Sequence, residues 1–151
     1  AVQTAKESIK NTGMDSSEII QSEELFELSQ GDWEGKVRKQ TYTESVIEEM
    51  DSNCWEFAAP NGESQKQVEE RALSWLKRIK DERTTTKVKI AAFTHSMTIK
   101  CLIRGVLQSE PCMTYKINLD NTSITKLKYN HKGWHLLSVN DNCHLKYQSM
   151  R

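Results

Sequence analysis

The sequence predicts an α/β domain with a largely parallel sheet. Three observations predict it. Apolar residues recur at helical spacing in separate stretches, a short run of strand length, basic at its entry and then apolar, lies between two of them, and turn residues mark the joints. The chain has 151 residues, of which 36% are hydrophobic and 28% charged. That composition is ordinary for a globular protein, and the length suits one domain with a real core. Residues 1–151 are therefore read as a single domain, without repeats, linkers or low-complexity segments.

Ala1 to Asn11 (AVQTAKESIKN) has helical spacing, with Gly13 just past its end as a C-terminal stop. No capping residue precedes Ala1, which predicts that the helix is entered from an upstream segment. Glu18 to Leu28 is read as a short strand centred on Ile19-Ile20, followed by a connection. Gly31-Asp32-Trp33-Glu34-Gly35 is a turn-rich loop. Gln40 to Asp51 is a second helix that turns Tyr42, Val46 and Ile47 inward, and Pro60-Asn61-Gly62 breaks the chain. Ser64-x-x-Gln67 is a capping box that starts the clearest helix, in which Val68, Ala72, Leu76 and Ile79 form one stripe.

Lys87 to Thr94 (KVKIAAFT) is that run, basic at its entry and then apolar, read as a buried strand. A helix follows from about Met97 to Leu107. Its inner stripe is Ile99, Leu102, Ile103 and Val106, with Lys100 and Arg104 outside. Two strands near Ser123–Tyr129 and Trp134–Val139 flank the turn Asn130-His131-Lys132-Gly133.

Charge narrows the partners. Lys plus Arg equals Asp plus Glu at 21 each, so the total suggests neither nucleic acid nor a membrane surface. The balance conceals a split: residues 1–82 carry 18 acidic and 10 basic residues, a net of −8, and residues 83–151 carry 3 acidic and 11 basic, a net of +8. Mutual attraction of the halves within one fold accounts for this, and a basic half facing an anionic ligand is the alternative. Cys54, Cys101, Cys112 and Cys143 form no CxxC pair and no small disulfide framework. They are read as reduced thiols of an intracellular protein. Cys143-His144 without a second ligand pair is not read as a metal site. No stretch is long enough to span a bilayer, and Ala1 onward is expected to be helix and not a signal peptide.

The chemistry-bearing residues fall at joints. Phe93-Thr94-His95-Ser96-Met97 lies where the predicted apolar strand gives way to a helix. Ligands of open α/β sheets bind at the carboxyl ends of strands, and a helix N-terminus there presents unpaired N–H groups and a positive dipole end. Ser96 and Met97 are thus candidate phosphate donors, and His95 a candidate to stabilise phosphoryl charge. The alternative is a histidine that merely caps the helix. Glu27 and Glu34 are candidate acid/base groups on a polar loop anchored by Trp33. Turn and cap chemistry accounts for Pro60 to Ser64, Glu63 included.

Taken in order, these stretches resemble the histidine phosphatase superfamily, in its phosphoglycerate-mutase-like branch. Ala1-Val2-Gln3-Thr4-Ala5 resembles the end of that family's RAxxTA helix. Leu25-x-Glu27 to Trp33-Glu34-Gly35 resembles its LxExxxGxWEG motif, Pro60-x-Gly62-Glu63-Ser64 with Arg71 its PxGES…R segment, and Thr94-His95 its second histidine motif. Asn121-Thr122-Ser123-Ile124 and Asn140-Asp141-x-x-His144-Leu145 resemble its C-terminal end. Met97 to Gly105 is most similar to plant and cyanobacterial members.

The resemblance implies a three-layer sandwich, a mostly parallel sheet with helices on both faces. It implies two-step phosphoryl transfer through a phosphohistidine, with no cofactor and no metal. By position, His95 would bind the transferring group and Glu27 would protonate the leaving oxygen and then activate water. The expected partner is a small phosphorylated metabolite, with neither nucleic acid nor membrane, and a homo-oligomer is left open. The family's nucleophile sits in an Arg-His-Gly motif on the first central strand. None of His95, His131, His135 and His144 is followed by Gly. The chain is accordingly expected to be an N-terminally incomplete domain, inactive as it stands. His131, His135 and His144 are expected to be structural or at the surface. The short path from Glu27 to Gly62 favours a phosphatase over a mutase, and a phosphate-binding module without catalysis is a further alternative. The expected compartment is the cytoplasm, or the plastid stroma in a plant.

Overall fold

The computed structural model describes residues 1–82 and 88–146. Six helices lie among the described residues: α1 (Val2–Ile9), α2 (Arg38–Thr41), α3 (Glu44–Ser52), α4 (Gln65–Glu82), α5 (Ser96–Leu107) and α6 (Cys143–Lys146). Short 3₁₀ turns at Ser16–Glu18, Glu23–Leu25, Gly31–Trp33 and Pro111–Lys116 shape the connections. The strands β1 (Ile124–Asn130) and β2 (Gly133–Asp141) form an antiparallel hairpin, with Asn130 opposite Gly133 at the turn.

The centre is the packing of α4 on α5. Val68 and Ala72 are fully buried and Leu76 nearly so, on the stripe their spacing predicts. From α5, Thr98, Cys101, Leu102 and Ile103 are buried against them. Gly105 permits the close approach: a Cβ there would lie 2.8 Å from Leu73 Cδ1 and 2.9 Å from the Glu69 side chain. The hairpin adds Leu127 and Trp134 to the Ala72, Leu76 and Leu102 cluster. The capping box forms as its residues require, with Ser64 N donating to Gln67 Oε1 (2.8 Å) and Gln67 N to Ser64 Oγ (3.3 Å).

Several expectations are corrected. The described residues make one two-stranded antiparallel sheet. Residues 88–94 have no regular secondary structure, and Val88 and Ile90 are exposed. Lys87 lies outside the described residues. A strand needs a neighbour for its ladder, and no strand among the described residues pairs with this run. Ile19-Ile20 is not a strand either. Asp15 instead caps a 3₁₀ turn at Ser16–Glu18, accepting from Ser17 N at 2.8 Å, and leaves Ile20 82% exposed.

The second predicted helix is split, because Thr43 caps α3 by accepting from Val46 N at 3.4 Å. That rotation exposes Ile47 and half-buries Tyr42 and Val46. Arg104 does not face outward. Its guanidinium stacks 3.9 Å over Trp55 and pairs with Glu69, which brings the acidic and basic halves of the chain together. The cysteines are not all reduced: Cys54 and Cys112 form a disulfide with Cα atoms 6.1 Å apart, and Cys101 and Cys143 are free. With that bond, the sequence argument for a reducing compartment no longer holds. No helix among the described residues is long and apolar enough to cross a membrane.

Candidate active site

The segment before α5 and the loop Glu24–Ser29 are stitched together side by side. Thr94 Oγ1 donates to Leu25 O at 2.6 Å, and Thr98 Oγ1 donates to Phe26 O at 2.6 Å. Glu27 follows directly after these two acceptors. Its carboxylate accepts from Met97 N (3.3 Å), Thr98 N (3.2 Å), Thr98 Oγ1 (3.3 Å) and its own neighbour Leu28 N (2.9 Å). An acceptor anion thus occupies the first turn of α5, where orphan N–H groups and the positive dipole end favour it. Met97 N–H, a predicted phosphate donor, is engaged by this carboxylate.

His95 is the residue immediately before α5, with extended backbone (φ −117°, ψ 167°), and its imidazole does not cap the helix. His95 and Ser96 are both exposed. The arrangement puts an exposed ring two residues from the N–H that holds Glu27. Sequence reasoning named His95 and Glu27 but not the threonines. Thr98 has no distinguishing local signal: it is one turn into a helix, and its partners lie about 70 positions away.

A second network holds the Glu27 loop from behind. Arg71, on α4, forks onto Glu63 through Nε to Oε1 (2.8 Å) and Nη2 to Oε2 (3.0 Å). The same guanidinium donates to Glu24 O (2.9 Å) and Glu27 O (3.2 Å). Glu63 also accepts from Ser29 N at 3.1 Å, and its own N–H donates to Ser29 O at 2.9 Å. Burial opposes ionisation of Glu63, yet the Arg71 fork, the Ser29 N–H and the Arg71 charge hold its carboxyl below the ordinary carboxylate range. Glu24 is likewise held low, first by its hydrogen bond from Arg78. Glu34 accepts from Ser29 Oγ and Gln30 N at 3.2 Å each, so it closes the loop turn.

Gly31 and Gly62 let the two loops touch. Gly31 has φ +50°, and a Cβ there would lie 2.3 Å from Pro60 O. Asp32 N donates to that same carbonyl at 2.9 Å.

A cavity of about 470 Å³ opens beside this network, lined by Glu23, Glu24, Phe26, Glu27, Ser29, Glu63 and Arg71. Phe26 is 58% exposed at its rim. Glu27 is shared between the cavity and the start of α5, whereas His95 does not line it. The other histidines lie elsewhere. His135 Nε2 is 2.9 Å from Asn130 Oδ1 in the hairpin, and His131 and His144 are exposed.

The sequence model of the histidine phosphatase superfamily (branch 1) matches residues 1–142. The chain belongs to this superfamily. Bacillus stearothermophilus YhfR has a similar solved structure, with 26% identity and a TM-score of 0.72, covering 96% of this chain and 71% of that one. A mutant phosphoserine phosphatase from Entamoeba histolytica, in complex with phosphoserine, is 25% identical with a TM-score of 0.69, covering 86% of this chain and 66% of that one. The α-ribazole phosphatase of Shigella flexneri shares the fold at 19% identity and a TM-score of 0.68, covering 91% of this chain and 67% of that one. The chain therefore spans about two thirds of the length of these three structures. No curated protein matches it in sequence. The α/β class follows from this membership.

Proposed function

We propose that this chain carries the second-histidine part of a phosphomonoesterase site acting on small phosphorylated metabolites through a phosphohistidine. The observation that carries the reading is the seam between Glu27 and α5. The Glu27 carboxylate is bonded to the first turn of the helix that the exposed His95 immediately precedes. In this reading the phosphoryl group rests against His95 and the Ser96 N–H. Glu27 serves the leaving oxygen first as proton donor and then as base toward water. Its bonds to Met97 and Thr98, at 3.3 and 3.2 Å, are long, and the leaving-group oxygen replaces one of them in the reactive complex.

The nucleophile is assigned to an Arg-His-Gly segment that these 151 residues do not contain. The strand bearing it would lie beside residues 88–94, complete the parallel sheet and cover the exposed Val88 and Ile90. Without it, the chain binds phosphate weakly and turns nothing over. Hydrolysis rather than exchange between phosphoglycerates is favoured by the short path from Glu27 to Gly62.

The test joins an upstream Arg-His-Gly segment to the chain and follows hydrolysis of p-nitrophenyl phosphate. His95→Ala and Glu27→Ala are each expected to lower kcat by about 10²-fold or more. Turnover unchanged by both substitutions would refute the assignment, and turnover by the 151 residues alone would refute the place given to the nucleophile.

A further inference from the structure

The Cys54–Cys112 bond joins positions 58 residues apart. Its two sulfurs differ in access: Cys54 is 5% exposed, whereas Cys112 lies at the surface. The bond forms part of the wall of a second cavity, of about 270 Å³, together with Asn53, Trp55, Glu110 and Pro111. A disulfide walled into a cavity of that size is open to a small nucleophile. The other two cysteines stand apart. Cys101 is fully buried, and burial pushes its thiol up to about 12, so it takes no part in exchange at neutral pH. Cys143 is exposed on α6.

The bond also spans the first turn of α4. On one side, Trp55 O accepts from Lys66 N at 3.1 Å. On the other, the buried Thr114 donates to Gln65 Oε1 at 2.6 Å. Beyond Trp55, Phe57 packs on Trp33 at 6.0 Å between ring centroids, and Pro60 O holds Asp32 N. One continuous stretch, residues 53–62, thus runs from the disulfide to the back of the loop that bears Glu27.

We infer that Cys54–Cys112 is a thiol-exchange site for a small-molecule thiol, and that opening it loosens residues 53–62 behind the Glu27 loop. The thiolate enters from the cavity and attacks Cys112 Sγ. The Cys54–Cys112 bond breaks, a mixed disulfide forms on Cys112, and Cys54 leaves as a thiolate that takes a proton from water. A second thiol molecule attacks the mixed disulfide. It releases the Cys112 thiol and leaves the two small thiols oxidised to their own disulfide. Two electrons pass to the protein, and none is left over. The site is independent of the phosphoryl-transfer reading and needs no turnover to be seen.

The experiment uses the 151-residue chain in glutathione buffers of varied reduced-to-oxidised ratio, with quenching by alkylation under denaturing conditions and mass spectrometry. Two of the four cysteines are expected to alkylate in the oxidised protein, Cys101 and Cys143, and all four after reduction. Reduction is expected to lower Tm by about 10 °C. It is also expected to raise chymotrypsin cleavage at Trp55 and Phe57 by about tenfold or more, while cleavage at Trp134 in the hairpin lags behind. The Cys54→Ser variant is expected to take up glutathione on Cys112. Four alkylated cysteines in the fully oxidised buffer would overturn the site, as would an adduct on Cys143 alone. Equal cleavage at Trp55 and Phe57 in both redox states would overturn the loosening.

Discussion

Replacing Arg71 by methionine keeps an apolar stem of similar length and removes the guanidinium. Four hydrogen bonds go with it: two to the Glu63 carboxylate and one each to the Glu24 and Glu27 carbonyls. The Glu63 carboxylate keeps only the Ser29 N–H of the partners described above. Breaking a fully buried pair from one side costs about 3–5 kcal/mol. Here the side chains are 17% and 27% exposed, so water takes up part of the loss, and about 3 kcal/mol is expected. Urea denaturation at pH 7, at unchanged m-value, reads this directly. Arg71→Lys keeps the charge but not the fork, and is expected to recover about half.

The pH dependence has a definite sign. Glu63 is held below its unfolded value in the native state, so its contribution is fully present above the unfolded pKa of about 4.3 and fades as pH falls through the native value. The gap between wild type and Arg71→Met therefore narrows below about pH 4. Hydrogen exchange separates local from global loss: the Leu28 and Thr98 amides, both bonded to Glu27, should exchange faster than those in the middle of α4. A cost under about 1 kcal/mol, or a gap that does not narrow in acid, would refute the view that this fork secures the Glu27 loop.

Four further substitutions test the seam and the loop contact behind it. Gly31→Ala forces a Cβ to 2.3 Å from the Pro60 carbonyl at φ +50°, and it should cost more than about 3 kcal/mol or prevent folding, read by thermal denaturation. Thr98→Val, at a fully buried residue, leaves the part-buried Phe26 O without its 2.6 Å donor and should cost about 1–3 kcal/mol in urea, while the exposed Ser96→Ala stays within about 0.5 kcal/mol. Glu27→Ala strips the first turn of α5 of its acceptor and should cost about 1–2 kcal/mol, read by the urea midpoint.

What the sequence reveals and what it conceals divide along a physical line. The α4 stripe, the Ser64–Gln67 box and the turn before Gly133 are readable because each is a local agreement between residues three or four apart. The strand state of KVKIAAF is not such a property. Apolar content makes the run eligible for a sheet, but only a neighbouring strand supplies the ladder, and its neighbours among the described residues offer none. Arg104 reads as a surface residue by its place on the α5 wheel, until Trp55 and Glu69 arrive from elsewhere to cover it. The Cys54–Cys112 pair is silent for the same reason, since nothing within either neighbourhood announces a partner 58 residues away. The site stands between these cases. His95 shows itself by sitting at the start of a helix, and Glu27 by sitting in a motif. What joins their two segments, and underlies the proposed site, is a set of bonds spanning about 70 positions, from Leu25, Phe26 and Glu27 to Thr94, Met97 and Thr98. Arg71 and Glu63 then fix one end of that set to α4. The chemistry is written in single residues, but its geometry depends on a clamp that local reasoning assigns to turns and caps.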